Sequence, residues 1–152
     1  MATGTLTLFE EFADNIGKGY HNLDTGTIKF GIVNNNTVPT AALATPTWGD
    51  FSANAITTGA TNPITLTGTS YDETNGDAVF IATSFTVSQN AGATASGTCW
   101  GIIYNDSDTT GPDAAIGFVE LGTVDLVNGD LVVKFNNAAS GSTGTVFTVS
   151  VP

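Results

Sequence analysis

Histidine and cysteine, the residue types that most often serve as general base and as thiol nucleophile, occur once each in the 152 residues, as His21 and Cys99. No G-x-S-x-G elbow or other partner motif accompanies His21, which precedes a turn, so we interpret it as a surface or capping residue. Cys99 lies among apolar residues with few cations to activate a thiolate, which favours packing in the core. The sequence therefore predicts no catalytic residue, and we expect the protein not to be an enzyme.

Oxygen-bearing side chains near residue 106 resemble the first half of a calcium-binding loop. Asp106 and Asp108 stand at positions one and three of such a loop, and a glycine stands at position six. Position twelve is Gly117, where the loop requires a bidentate glutamate, and the same residue types also build ordinary turns. We therefore predict a plain loop and no cofactor. Calcium is the alternative, and its candidate ligands are Asp106, Asp108 and Asp113.

Adjacent carboxylates and scattered aromatic residues are compatible with sugar chemistry or sugar binding. A glycosidase needs two carboxylates that face each other across the substrate. Successive residues of a strand point to opposite faces, so their spacing alone does not give the pairs Glu10–Glu11 and Asp72–Glu73 this arrangement. A stacking platform for a sugar would need exposed aromatic rings, although rings at such spacings more often fill cores. A carbohydrate-binding module is thus an alternative, with the platform candidates Trp48, Trp100 and Tyr71.

The charge balance excludes several partners. Only 11% of the residues are charged, and fourteen Asp and Glu face three lysines, for a net charge of −11. Nucleic acids and anionic membranes both require several cations on the protein, so neither is an expected partner. No apolar run reaches the roughly eighteen residues that span a bilayer, and the N-terminus lacks the features of a signal peptide. We expect synthesis in the cytoplasm and one domain over residues 1–152.

The elements that must position these residues are mostly strands. Apolar residues at four-residue spacing predict one short helix within Leu6–Ile16, stopped by glycines. Alternating apolar residues predict a strand over Thr27–Val33. Residues 34–62 have neither period but contain Trp48 and Phe51, so we predict a long ordered excursion whose aromatic rings pack onto something.

Two Asn-Gly pairs predict tight hairpins, because this dipeptide favours the type I′ turn. Around Asn75-Gly76, within 64–89, the turn would place the apolar positions of both strands on one face, with the pairs Ile64–Val87, Leu66–Phe85 and Ser70–Ile81. Around Asn128-Gly129, the expected pairs are Leu126–Leu131 and Val124–Val133. Further strands are predicted at 98–104, 115–121 and 145–151. The predicted fold is mainly β, an antiparallel β-sandwich or barrel with one short N-terminal α-helix.

Several segments resemble small structural proteins of tailed-bacteriophage virions, of the capsid decoration (cement) type. The segments are spread over most of the chain: an N-terminal amphipathic helix, Leu23–Val33, Trp48–Phe51, Thr65–Gly68, Trp100–Asp106 and Ala115–Gly122. The resemblance implies a non-enzymatic protein on the outside of an assembled head, in the virion. It implies a homotrimer near local three-fold positions, with the major capsid protein as partner. A tail or fibre component is the structural alternative.

The segments that the predicted core explains least are the candidate contacts with that partner. Residues 1–7 are short and rich in threonine, and could add as an edge strand to a neighbour. The aromatic residues of the excursion are candidate anchors at an interface, although aromatic residues that pack in a core give the same sequence pattern. The interface candidates are Thr3, Thr5, Thr7, Trp48 and Phe51.

Overall fold

The computed structural model describes residues 4–59, 61–94, 97–107, 113–136 and 138–150. Within these residues, ten strands and two short helices follow one another along the chain. They are β1 (Thr7–Leu8), α1 (Phe12–Gly17), β2 (Ile28–Asn34), α2 (Gly49–Ser52), β3 (Ile64–Thr65), β4 (Ser70–Thr74), β5 (Asp77–Thr83), β6 (Phe85–Val87), β7 (Gly97–Asn105), β8 (Ala115–Val124), β9 (Leu131–Val133) and β10 (Thr143–Ser150).

The strands form three antiparallel sheets. The largest has the order β1-β8-β7-β2-β3, the second has the order β10-β5-β4, and β6 pairs with β9. The predicted class is confirmed: the fold is mainly β, antiparallel and sandwich-like, with little helix. No helix among the described residues is long and apolar enough to cross a membrane.

The five-stranded sheet is apolar on both faces. Because side chains alternate along a strand, Phe30 and Ile103 lie on one face, in a cluster that also contains Phe80 of β5. Val33 and Tyr104 lie on the opposite face, in a second cluster with Trp48. We call these the inner and the outer cluster. A sheet covered on both sides explains why β7 is buried along most of its length.

The excursion over residues 34–62 supplies much of the outer cluster. Its short helix α2 places Phe51 against the sheet with no exposed surface. Two backbone hydrogen bonds join the excursion to β2: Asn34 donates to Asn54 at 2.9 Å, and Ile56 donates to Ile32 at 3.0 Å. Trp48 and Phe51 of this segment pack in the outer cluster.

The predicted N-terminal helix is only half correct. The helix begins at Phe12, whereas Thr7 and Leu8 lie in β1 and pair with Phe118 and Gly117 of β8. The amide of Phe9 also donates to the carbonyl of Ile116 at 3.1 Å. A short helix would leave many of its backbone N–H and C=O groups without partners, and pairing with the edge of the sheet satisfies these groups at least as well. The tertiary contact with β8 therefore decides the structure of this segment, against the helical spacing of its apolar residues.

The first predicted hairpin forms, but it is shorter than predicted. Ser70 lies opposite Ile81, as expected for the Asn75-Gly76 turn. The buried face, however, carries Phe80 and not Ile81, because burying the ring removes more apolar surface from water.

Beyond Ser70 the two strands of this hairpin separate. Gly68 has a φ of +59°, a left-handed conformation that turns the chain out of the ladder. Ile64 then pairs with Phe30 of β2, and not with Val87. The predicted pairs Ile64–Val87 and Leu66–Phe85 are therefore wrong, since Phe85 and Val87 lie in β6, opposite β9.

The second predicted hairpin, around Asn128-Gly129, is wrong. Neither residue has a positive φ, so the type I′ turn is not formed. Asp125 instead organises the turn: its carboxylate accepts hydrogen bonds from the amide of Val127 at 3.1 Å and from Nδ2 of Asn128 at 2.8 Å. Strand β9 pairs with β6, so neither Val124–Val133 nor Leu126–Leu131 is a pair.

Candidate interaction site between β8 and β9

His21 is buried, which corrects its interpretation as a surface or capping residue. Its side chain is 6% exposed, and its ring lies 5.5 Å from that of Phe12, centroid to centroid. Neither ring nitrogen has a hydrogen-bond partner in the part of the chain that the structure describes. Burial lowers the pKa of His21 to about 4, so the ring is neutral at pH 7.

Cys99 packs in the inner cluster, as predicted. Burial raises the pKa of its thiol, which keeps the sulfur protonated and unreactive.

Two of the three candidate calcium ligands lie together. Asp106 forms an ion pair with Lys29 at 2.5 Å, and its carboxylate also contacts that of Asp113. Burial, and next the negative charge of Asp106, raise the pKa of Asp113. Asp108 lies outside the described residues, which contain no cluster of three or more possible metal ligands.

The aromatic platform proposed for sugar stacking does not assemble. Trp48 is 9% exposed and stacks on Tyr104 in the outer cluster, with centroids 5.1 Å apart and planes within 2°. Tyr71 packs against the inner cluster, on the other side of the central sheet. Trp100 and Tyr71 are both half-buried, but they pack against different clusters, Trp100 against the outer one. The candidate carboxylate pairs Glu10–Glu11 and Asp72–Glu73 belong to separate elements, and Asp72 and Glu73 are exposed on an edge strand.

The interface candidates divide into buried and exposed residues. Trp48 and Phe51 are core residues of the outer cluster, where their rings contact this chain's own side chains. Thr5 and Thr7 are exposed, and Thr7 pairs with the chain's own β8. Thr3 lies outside the described residues.

An open groove of about 950 Å³ lies between β8 and β9. One wall is the second half of β8, from Glu120 to Val124, and the other runs from Gly129 to Lys134. The Asp125–Asp130 turn joins these walls. Sequence reasoning missed this groove because it predicted that the two walls pair directly with each other.

Aromatic rings line one end of the groove, beside a carboxylate. Trp100 and Phe118 form an aromatic end, with ring centroids 6.0 Å apart and an edge-to-face angle of 63°. The indole Nε1 of Trp100 donates to Oδ1 of Asn35 at 2.9 Å, which fixes the ring. Glu120 lies opposite Trp100 in the β7–β8 ladder, so their side chains are on the same face.

Carboxylates outnumber cations at the groove. Glu120, Asp125 and Asp130 line it together with Lys134. Oδ1 of Asp130 accepts a hydrogen bond from the amide of Gln89 at 2.7 Å, which ties this turn to the end of β6. The groove can therefore hold an extended segment against a backbone edge, beside an aromatic ring and a net negative charge.

No protein-family description matches the chain, and neither characterised proteins nor solved structures show significant similarity to it.

Proposed function

We propose that the protein is a non-enzymatic capsid decoration (cement) protein of a tailed bacteriophage. It would bind the outer surface of the assembled head as a trimer and stabilise the head through many contacts with the major capsid protein. The observation that carries this proposal is the position of the segments on which the resemblance rests. Leu23–Val33, Trp100–Asp106 and Ala115–Gly122 contribute β2, β7 and β8, which are neighbours in the central sheet.

The charge distribution supports a position outside the head. Two of the three lysines, Lys18 and Lys29, form ion pairs with Asp14 and Asp106 of the same chain. The excess of carboxylates therefore dominates the surface potential, which disfavours contact with packaged DNA.

A tail or fibre component would share this architecture and differ in its place on the virion. The carbohydrate-binding alternative has less support, because Trp48 and Tyr71 lie on opposite sides of the central sheet. A glycan array probed with the protein and with its Trp100→Ala variant tests whether Trp100 binds a sugar.

The proposal is tested by adding the purified protein to heads from a phage that lacks its gene, and by imaging the particles with cryo-electron microscopy. We expect on the order of hundreds of copies per head, arranged as trimers on the lattice, because weak contacts bind a shell effectively only when they are repeated. Decorated heads should withstand a higher temperature than bare heads before they release DNA.

The matched control is the same head incubated with heat-denatured protein. A few copies at a single vertex would show a tail component instead. Absence of binding by a monomeric, folded protein would refute the decoration function.

A further inference from the structure

We propose that the groove between β8 and β9 is an acceptor site for one extended β-strand of a partner protein, and that this strand carries lysine or arginine. The inference concerns the recognition chemistry of the groove, and it does not depend on the partner being a capsid protein.

The backbone of β8 offers one edge to such a strand. On the side away from β7, β1 pairs with β8 only at Gly117 and Phe118. Gly4 approaches the carbonyl of Glu120, but on this side no strand within the described ranges pairs with β8 from Leu121 to Val124, whose other side pairs with β7. Four residues of strand span about 13 Å, enough for a short ladder of hydrogen bonds.

The second edge belongs to β9. Leu131–Val133 pairs with β6 on one side, and Leu131 and Val132 line the groove. The hydrophobic pattern of β8 and β9 suits direct pairing, but the Asp125 turn holds the two strands apart. An inserted strand would join the five-stranded and the two-stranded sheet, which is the β-addition mode of peptide recognition.

The side chains at the aromatic end select a cation. The half-buried ring of Trp100 and the carboxylate of Glu120 stand side by side on one face of the sheet. The exposed carboxylate of Glu120 has no hydrogen bond or ion pair with any residue in the described ranges, so its charge is available to a ligand. A lysine or arginine placed between them would gain a cation–π contact and an ion pair at once.

Charge also decides between a different protein and a second copy of this chain. Two copies would each bring a net charge of −11 to the contact, and the three carboxylates of the groove outnumber Lys134. A cationic segment complements this potential, whereas a second copy opposes it. The occupant we propose is therefore a basic, extended segment of a different polypeptide.

The test uses the full chain and a capped heptapeptide, Thr-Lys-Val-Lys-Val-Lys-Thr, which as a strand has its lysines on one face and its valines on the other. Two comparison peptides have glutamate at every lysine, or proline in place of the first valine, which removes an amide donor and keeps all three lysines. Affinity is measured by titration, and the binding site by amide chemical shifts. We expect the lysine peptide to bind at least about tenfold more tightly than either comparison peptide, with shifts at 121–124 and 131–133.

Substitutions of the protein locate the interaction. Glu120→Lys should weaken binding of the lysine peptide about tenfold, while the matched control Asp72→Lys, on the exposed edge strand β4, should change it less than about twofold. Trp100→Phe should weaken binding and Trp100→Ala should weaken it further, with folding checked by circular dichroism.

Four results would overturn the inference: equal affinity for the lysine and glutamate peptides, shifts that map elsewhere, a concentration-dependent dimer that blocks the groove, or a more than tenfold gain in affinity on deleting residues 1–3. The last two would assign the groove to a second copy or to the chain's own N-terminus. None of these assays uses capsids, so their failure leaves the decoration proposal to its own test.

Discussion

At the scale of single residues, the buried histidine is the feature with the clearest energetic consequence. His21 lies beside Phe12, and neither of its ring nitrogens is satisfied by a described residue. A buried polar group without a partner costs free energy, and a charged one costs much more. The fold therefore holds the imidazole in its neutral form and lowers its pKa from 6.5 to about 4.

This shift predicts that acid destabilises the protein through His21. As the pH falls, the unfolded histidine binds a proton near pH 6.5, whereas the folded one does so only near pH 4. Protonation thus favours the unfolded state, and the contribution of His21 to the free energy of unfolding falls by about 2 kcal/mol between about pH 7.5 and pH 5. Urea unfolding at both pH values, compared with His21→Leu, measures this effect. An equal pH dependence in the variant would contradict the prediction.

At the scale of elements, the two Asn-Gly pairs show how far local sequence decides a turn. Asn75 and Gly76 have φ angles of +55° and +88°, as a type I′ turn requires, and they join β4 to β5. Asn128-Gly129 has the same two residues but no positive φ, because Asp125 and Asp130 bond the surrounding backbone in another geometry.

The difference predicts opposite responses to the same substitution. Apart from the adjacent residues, no described residue has an atom within 4 Å of the position that a Cβ would take at Gly76 or Gly129, so packing contributes little to either substitution. Gly76→Ala forces alanine into a left-handed conformation and should cost about 1 kcal/mol of unfolding free energy. Gly129→Ala, the matched control, should stay within about 0.5 kcal/mol of the native protein. Chemical denaturation of both variants tests this, and equal costs would refute it.

At the scale of the whole molecule, the central sheet links two hydrophobic clusters. Neighbouring residues of one strand, such as Ile102 and Ile103, belong to the outer and the inner cluster. A change in either cluster therefore acts on the same backbone ladder, which couples the stability of the two faces.

This coupling predicts one cooperative unfolding transition. Phe51 of the outer cluster and Phe80 of the inner cluster are both fully buried. Phe51→Ala and Phe80→Ala should each lower the free energy of unfolding by about 3 to 5 kcal/mol. In both variants, tryptophan fluorescence and far-ultraviolet circular dichroism should change at the same denaturant concentration. Separate transitions for the two probes would show that the excursion unfolds independently, and Val38→Ala, at an exposed position of the excursion, is the control.

The sequence alone determined most of the longer extended segments, although not β1. Alternating apolar residues identified β2, and the strands predicted at 98–104, 115–121 and 145–151 overlap β7, β8 and β10. The turn residues Asn75-Gly76 determined the register of β4 with β5, because this signal acts between residues close in the chain. The burial of Cys99 followed from its apolar neighbours in the same way.

Only the tertiary structure decided which strands are partners and which aromatic rings are buried. Pairing of β6 with β9, and the separation of β9 from β8, depend on contacts between residues far apart in the chain, which local patterns do not encode. The same holds for the site: Trp100 and Glu120 become neighbours only through the β7–β8 ladder, and Trp48 is buried by a cluster in which it stacks on Tyr104, a residue far from it in the chain.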